Sequence, residues 1–165
     1  MAKWTMRGMD DYAAFLQRIG KNTPEIIGKG IYEMAGVVAD RVANNIEALS
    51  TVSDLEGIRE YQRGEKSRLT VGQKNGLRES FGITTMKKEN GYYYVKLGFD
   101  GYNRIKTKKY PNGQPNAMIA RITESGSSFR DKTPFIRPAV NASRNEALQK
   151  CQTAIDEEIR AIEKD

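Results

Sequence analysis

Apolar side chains recur at helical spacing early in the chain. Tyr12, Phe15, Leu16 and Ile19 fall on one face, Asp10 and Asp11 stand where they complement a positive helix end, and Gly20 follows. The spacing predicts a short amphipathic helix over Met9 to Ile19. Thr23-Pro24-Glu25 then reads as an N-cap, a first-turn proline and a first-turn acid, opening a second helix that runs to about Leu49. Its stripe is Ile27, Ile31, Met34, Val38, Val42, Ile46 and Leu49. Gly28, Gly30 and Gly36 each weaken such a helix by roughly 1 kcal/mol against alanine. They imply either a closely packed neighbouring backbone or loose first turns.

No period survives from Ser50 to Asn75, where Gly57, Gly64 and Gly72 are mixed with charges of both signs. So long a connection is uncommon in a compact domain, and the expectation is a mobile arm that orders on contact. Alternation begins at Ser80 with Phe81, Ile83 and Thr85, and resumes at Tyr92 with Tyr93, Val95, Leu97 and Phe99. Between the two runs, Glu89-Asn90-Gly91 carries the Asn-Gly pair that accepts the positive φ angles of a type I′ turn, so a β-hairpin is predicted. Asp100 to Asn116 reads as a second irregular segment, rich in Gly, Pro and cations. Ala117 to Ser125 fits a third strand or, by a slight lean, a short helix ending at Gly126. The last helix is expected to start at Pro138 and to carry Leu148, Cys151, Ile155, Ile159 and Ile162 as one apolar seam. These elements make a single α+β domain over residues 1–165, with the long helices on one face of a small antiparallel sheet that contains a hairpin.

Composition narrows the chemistry. With 165 residues the chain suffices for one domain with a hydrophobic core. No apolar run approaches the roughly 20 residues needed to span a bilayer, so no membrane association is expected. Lys3 and Arg7 precede no apolar stretch of the signal-peptide kind, and a cytoplasmic protein is the expectation. Histidine is absent, which removes the usual general base near neutral pH and the Ser-His and Cys-His dyads. Cys151 is the only cysteine, so no intrachain disulfide and no cysteine metal cluster can form.

Each candidate motif for chemistry has a plainer reading. Gly28-Lys29-Gly30 lacks the spacing and the Ser or Thr of a phosphate-binding loop. Asp10 and Asp11, like Glu157 and Glu158, diverge by about 100° on a helix and do not converge on one ion. Cys151 lies in an apolar seam, where a thiol packs as a small hydrophobe. No catalytic residue, cofactor or metal ligand is therefore assigned.

The net charge of +6 has a focus. From Gly101 to Thr123 there is no acid, while Arg104, Lys106, Lys108, Lys109 and Arg121 are interleaved with Tyr102 and Tyr110. Such a segment suits a solvated loop or a partner protein or, alternatively, sequence-independent contact with a nucleic-acid backbone. A second motif is Glu124-Ser125-Gly126-Ser127, followed by Thr133-Pro134-Phe135-Ile136-Arg137-Pro138-Ala139. The two prolines bias Thr133 and Arg137 away from helical angles and predict an extended strap. Phe135 would be its core anchor, and Arg137 a guanidinium paired with Glu124.

Gly76-Leu77-Arg78-Glu79-Ser80, then Glu124-Ser-Gly-Ser, then Pro134-Phe-Ile-Arg-Pro-Ala resemble, in order, the motifs of the tail-completion or head-tail joining (neck) proteins of long-tailed bacteriophages and prophages. In that family they are a strand start, a Glu-x-Gly-Thr turn and a helix start. Gly8-Met-Asp-Asp-Tyr before a long helix is similar too, so the likeness covers most of the chain. Ser127 stands where the family more often has Thr, Ala120 to Thr123 is more polar than the family's aromatic approach to the Glu, and Asp100 to Asn116 has no counterpart to transfer. The resemblance implies a structural, non-enzymatic protein of virion assembly in the host bacterial cytoplasm. It would reside at the neck or tail, touch other neck and tail proteins, self-associate into a ring on assembly, and need no cofactor.

Overall fold

A computed structural model describes residues 9–164 of the chain, with side chains from residue 11 onward. The reading of Lys3 and Arg7, Gly8 of the N-terminal motif and the Asp10 side chain lie outside the described residues. The class is α+β, dominated by helix. In order come α1 (Met9–Ala48), α2 (Asp54–Gln62), α3 (Val71–Ser80), β1 (Phe81–Ile83), β2 (Lys87–Glu89), β3 (Tyr92–Tyr94), β4 (Leu97–Phe99), α4 (Asn116–Ser125) and α5 (Ile136–Lys164).

The two expected N-terminal helices are one. α1 passes through Pro24, whose missing N–H leaves the Gly20 carbonyl without its helical donor, at the most pliant residue of that turn. Thr23 is not a cap; its hydroxyl donates to the Ile19 carbonyl at 2.9 Å inside the helix. At 1.5 Å per residue α1 is about 60 Å long and α5 about 43 Å.

α1 and α5 pack side by side along much of their length and form the backbone of the molecule. Their contact uses small residues. A Cβ built on Gly30 would stand 2.7 Å from Ile155 Cγ1 and 3.2 Å from the Cys151 carbonyl oxygen. Of the two explanations for the glycines, close packing therefore holds at Gly30. On α5 the fully buried positions are Ala139, Ser143, Ala147 and Ala154. Of the expected seam, Cys151, Ile155, Ile159 and Ile162 are half-buried, but Leu148 is corrected: it is 54% exposed, because there the helix turns its short side chains toward α1 to let the two axes approach. Since Lys29 pairs with Glu158, the end of α5 reaches only the early part of α1. The first turns of α1, with Tyr12 and Leu16 exposed, extend past it.

At the other end of the pair, Val42, Ile46 and Leu49 of the α1 seam meet Leu69, Leu77, Ile119, Ala120, Phe135 and Ala139 in the core. Thus α3 and α4 close one end of the helical hairpin.

The segment 50–75 is not an irregular arm. Ser53 caps α2 by accepting the Glu56 N–H, and Thr70 with Gln73 forms a capping box that starts α3. Val52 and Thr70 pair as an isolated parallel bridge, bringing the two helix starts together. Order here comes from caps and buried polar contacts, which leave no apolar period.

The single expected sheet is two ribbons in series. β1 pairs with β4 (Phe81 opposite Phe99, Ile83 opposite Leu97), and β2 pairs with β3 (Lys87 opposite Tyr94, Glu89 opposite Tyr92), both antiparallel. Three residues, 84–86, separate β1 from β2, but only two, 95 and 96, separate β3 from β4. One long hairpin is thereby interrupted by a bulge. The predicted turn is at its tip, with Asn90 at φ 50° and Gly91 at φ 85°. Phe81 and Phe99 stack at 5.1 Å between ring centres and face the core, while Met86 N–H donates to the Tyr32 hydroxyl at 2.7 Å and ties the ribbon to α1.

Candidate functional site

Three separate stretches of sequence converge around Phe135. Its side chain is 1% exposed and packs in the same cluster as Leu77 of α3 and Ile119 of α4, with the Phe99 ring 6.1 Å away. Leu77 is 0% exposed. Gly76 and Leu77 thus lie in the last turns of α3, not at a strand start as expected; β1 begins only at Phe81. Gly76 is needed for close approach, since a Cβ there would lie 2.5 Å from Asn116 Oδ1 and 2.6 Å from Asn103 Cβ. Arg78 is exposed, 3.8 Å from Glu47, and Ser80 ends the helix with its hydroxyl buried.

Glu124 fastens this hub. It stands in the last turn of α4, which is a helix and not a strand, ending at Gly126 with φ 76°. One carboxylate oxygen accepts the N–H groups of Phe135 (2.7 Å) and Ile136 (2.8 Å), and the other accepts that of Arg137 (3.0 Å). α5 begins at Ile136, so Arg137 is helical and Pro138 sits in the first turn, two residues past the start. The expected guanidinium pair between Arg137 and Glu124 is replaced by a backbone cap: the acid satisfies donors that a helix start leaves free. Partial burial pushes the Glu124 carboxyl upward, but the three N–H donors and the Arg137 charge outweigh it and hold it below the ordinary glutamate range. Pro134 and Pro138 are exposed beside this cap.

The basic segment is held from within. Asn103 is buried; its Oδ1 accepts the N–H groups of Ile105 (2.9 Å) and Gln114 (3.3 Å). Gly113, at φ 110°, lies so close to the Asn103 carbonyl that no side chain would fit. Arg104 is not available as a free cation, because Nη2 donates to Asp54 at 3.1 Å. Burial raises the Asp54 carboxyl, but the Gly72 N–H, the Thr70 hydroxyl and the Arg104 charge pull it lower on balance. Lys106, Lys108 and Lys109 are exposed on the loop, Lys109 lying 5.5 Å from the Tyr110 ring centre, and Arg121 is exposed on α4. The structure therefore groups the three lysines and sets Arg104 apart.

Sequence reasoning missed a second polar cluster. Arg130, 6% exposed, donates from Nε to the Ser67 carbonyl (3.1 Å) and from Nη2 to the Arg68 carbonyl (3.1 Å) and Gln73 Oε1 (2.8 Å). Buried Glu60 accepts the Arg68 N–H at 2.9 Å and Arg68 Nε at 2.7 Å, and these donors hold its carboxyl below the usual range. The only sequence signal was the unusual density of charge between residues 54 and 68.

No family model, no curated protein and no solved structure matches this chain.

Proposed function

We propose that the chain is a structural, non-enzymatic protein of virion assembly in long-tailed phages or prophages, acting in tail completion or head-tail joining at the neck through contacts with other neck and tail proteins and with copies of itself. The observation that carries this reading is the Glu124 cap. Residues from three short motifs, the first more than forty residues before the other two, meet at Leu77, Glu124 and Phe135, and the acid that begins the second motif pins the backbone of the third. Short motifs that serve a scaffold are expected to behave so: their residues fix the relative placement of helices and leave the surface to partners.

That surface has apolar features suited to docking. Tyr92 is 78% exposed at the ribbon tip, Leu55 and Tyr61 are exposed on α2, and Leu148 is exposed on α5. Deleting the gene from the phage that encodes the chain tests the proposal. Filled heads beside unjoined or aberrant tails are expected; normal infectious particles would rule the role out.

A second reading, nucleic-acid contact, is favoured by one observation: Lys106, Lys108 and Lys109 share an exposed, braced loop. It requires affinity for duplex DNA that falls with salt at a log-log slope of about −0.9 per phosphate neutralised. Salt-insensitive or absent binding removes it.

A further inference from the structure

Arg130 is a buried cation whose hydrogen bonds all go to neutral acceptors, and its Nη1 has no partner. Among the described residues no carboxylate is paired with it. Glu60, whose charge acts on it, commits its hydrogen bonds to Arg68. Taking a charge out of water without a counter-ion is costly, and native proteins pair such charges or bind an ion with them.

Arg130 lines a groove of about 670 Å³ between the chain after α1, residues 66–69 and the strap before α5. Thr123, 1% exposed and with its hydroxyl also unpartnered, lines the same groove. Leu49, Val52, Leu69 and Pro134 supply apolar walls, and Lys66 stands at the rim, paired only with the exposed Asp131. Two unsatisfied buried polar groups, a second cation and apolar flanks define a complementary ligand: one carboxylate between aliphatic neighbours.

We propose that this groove receives an acidic side chain carried on an extended segment of a partner protein, its carboxylate pairing with Lys66, which exchanges Asp131 for the incoming acid, and with Arg130 Nη1, which is closed off from solvent and is reached as the groove lining gives. The groove would hold such a segment whatever assembly the chain serves.

The test uses the full chain and the Nε–Hε resonance of Arg130 in ¹⁵N NMR. The probes are acetyl-Ala-Val-Glu-Val-Ala-amide and the same peptide with Gln for Glu. The Glu peptide should shift the resonance saturably, at least about tenfold more tightly than the Gln peptide, the difference that one charge-assisted hydrogen bond makes. Lys66→Gln should weaken the Glu peptide, and Asp131→Asn should tighten it by up to about fivefold. Both rim residues are exposed, so these variants do not depend on core folding. Equal binding of the two peptides, or no shift with either, overturns the site. Movement of the resonance on dilution without peptide overturns the partner assignment in favour of a second copy.

Discussion

Oε1 of Glu124 accepts the backbone N–H of Arg137 at 3.0 Å, so an acid at the end of α4 caps the start of α5. The cap spans a turn in the chain and fixes the angle between the two helices. Glu124→Gln keeps the shape but removes the charge and turns one of the two accepting oxygens into a donor, and it should cost about 1 to 2 kcal/mol in urea unfolding. The effect has a pH signature. Because the folded-state pKa lies below the free value of 4.5, the stabilisation is fully present above that value and is lost as pH falls through the folded one. The wild type should therefore lose stability relative to Glu124→Gln on acidification below about 4.5; parallel pH profiles would contradict the cap.

Gly30 and Gly36 lie less than two turns apart on α1 and should respond oppositely. Gly30→Val drives a branched side chain into Ile155 and the α5 backbone and should destabilise by about 1 to 3 kcal/mol. A Cβ at Gly36 meets nothing within 4 Å, so Gly36→Ala should stabilise by up to about 1 kcal/mol. Thermal unfolding of the two variants reads both signs.

Pro24→Ala restores the missing donor to the Gly20 carbonyl. Since α1 is helical on both sides of the proline, the change should slow amide hydrogen exchange in the flanking turns, residues 12–28, without altering the core. Unchanged exchange there would mean that the proline does not weaken the helix.

Phe135→Ala removes the ring at the meeting point of α3, α4, α5 and β4. Loss of about 3 to 5 kcal/mol is expected, as for other large side chains deleted from a well-packed interior. Pro134→Ala, one residue away and exposed, should cost far less, and equilibrium unfolding distinguishes them.

Legibility in the sequence followed the kind of force involved. Where apolar residues recur at fixed spacing, as at Val42, Ile46 and Leu49, the core face was readable, and the Asn90-Gly91 turn was readable from its backbone requirements. The α1–α5 contact was half readable: the glycines signalled close approach, but Ala147 and Ala154 were passed over for Leu148, because hydrophobicity ranks side chains by size and a tight helix pair selects small ones. α2 and α3 were illegible, because Ser53, Thr70 and Gln73 organise them through single hydrogen bonds that leave no periodic trace. Arg130 was hidden for a similar reason, since its partners are carbonyls distant in sequence. The break expected at Pro24 arose from treating a local preference as decisive when the neighbouring turns outweigh it.

The unequal spacers in the ribbon carry a parity. Lys87, Glu89, Tyr92 and Tyr94 share one side of its outer half, and Lys88 and Tyr93 share the other. A strand reverses sides with every residue, so the bulge at 84–86 must absorb the odd residue for Lys88, opposite Tyr93, to stay on the side of Ile83, opposite Leu97. Removing that residue would straighten the ribbon while leaving its two faces as they are, and a partner that reads the tip would meet the same rings at another angle.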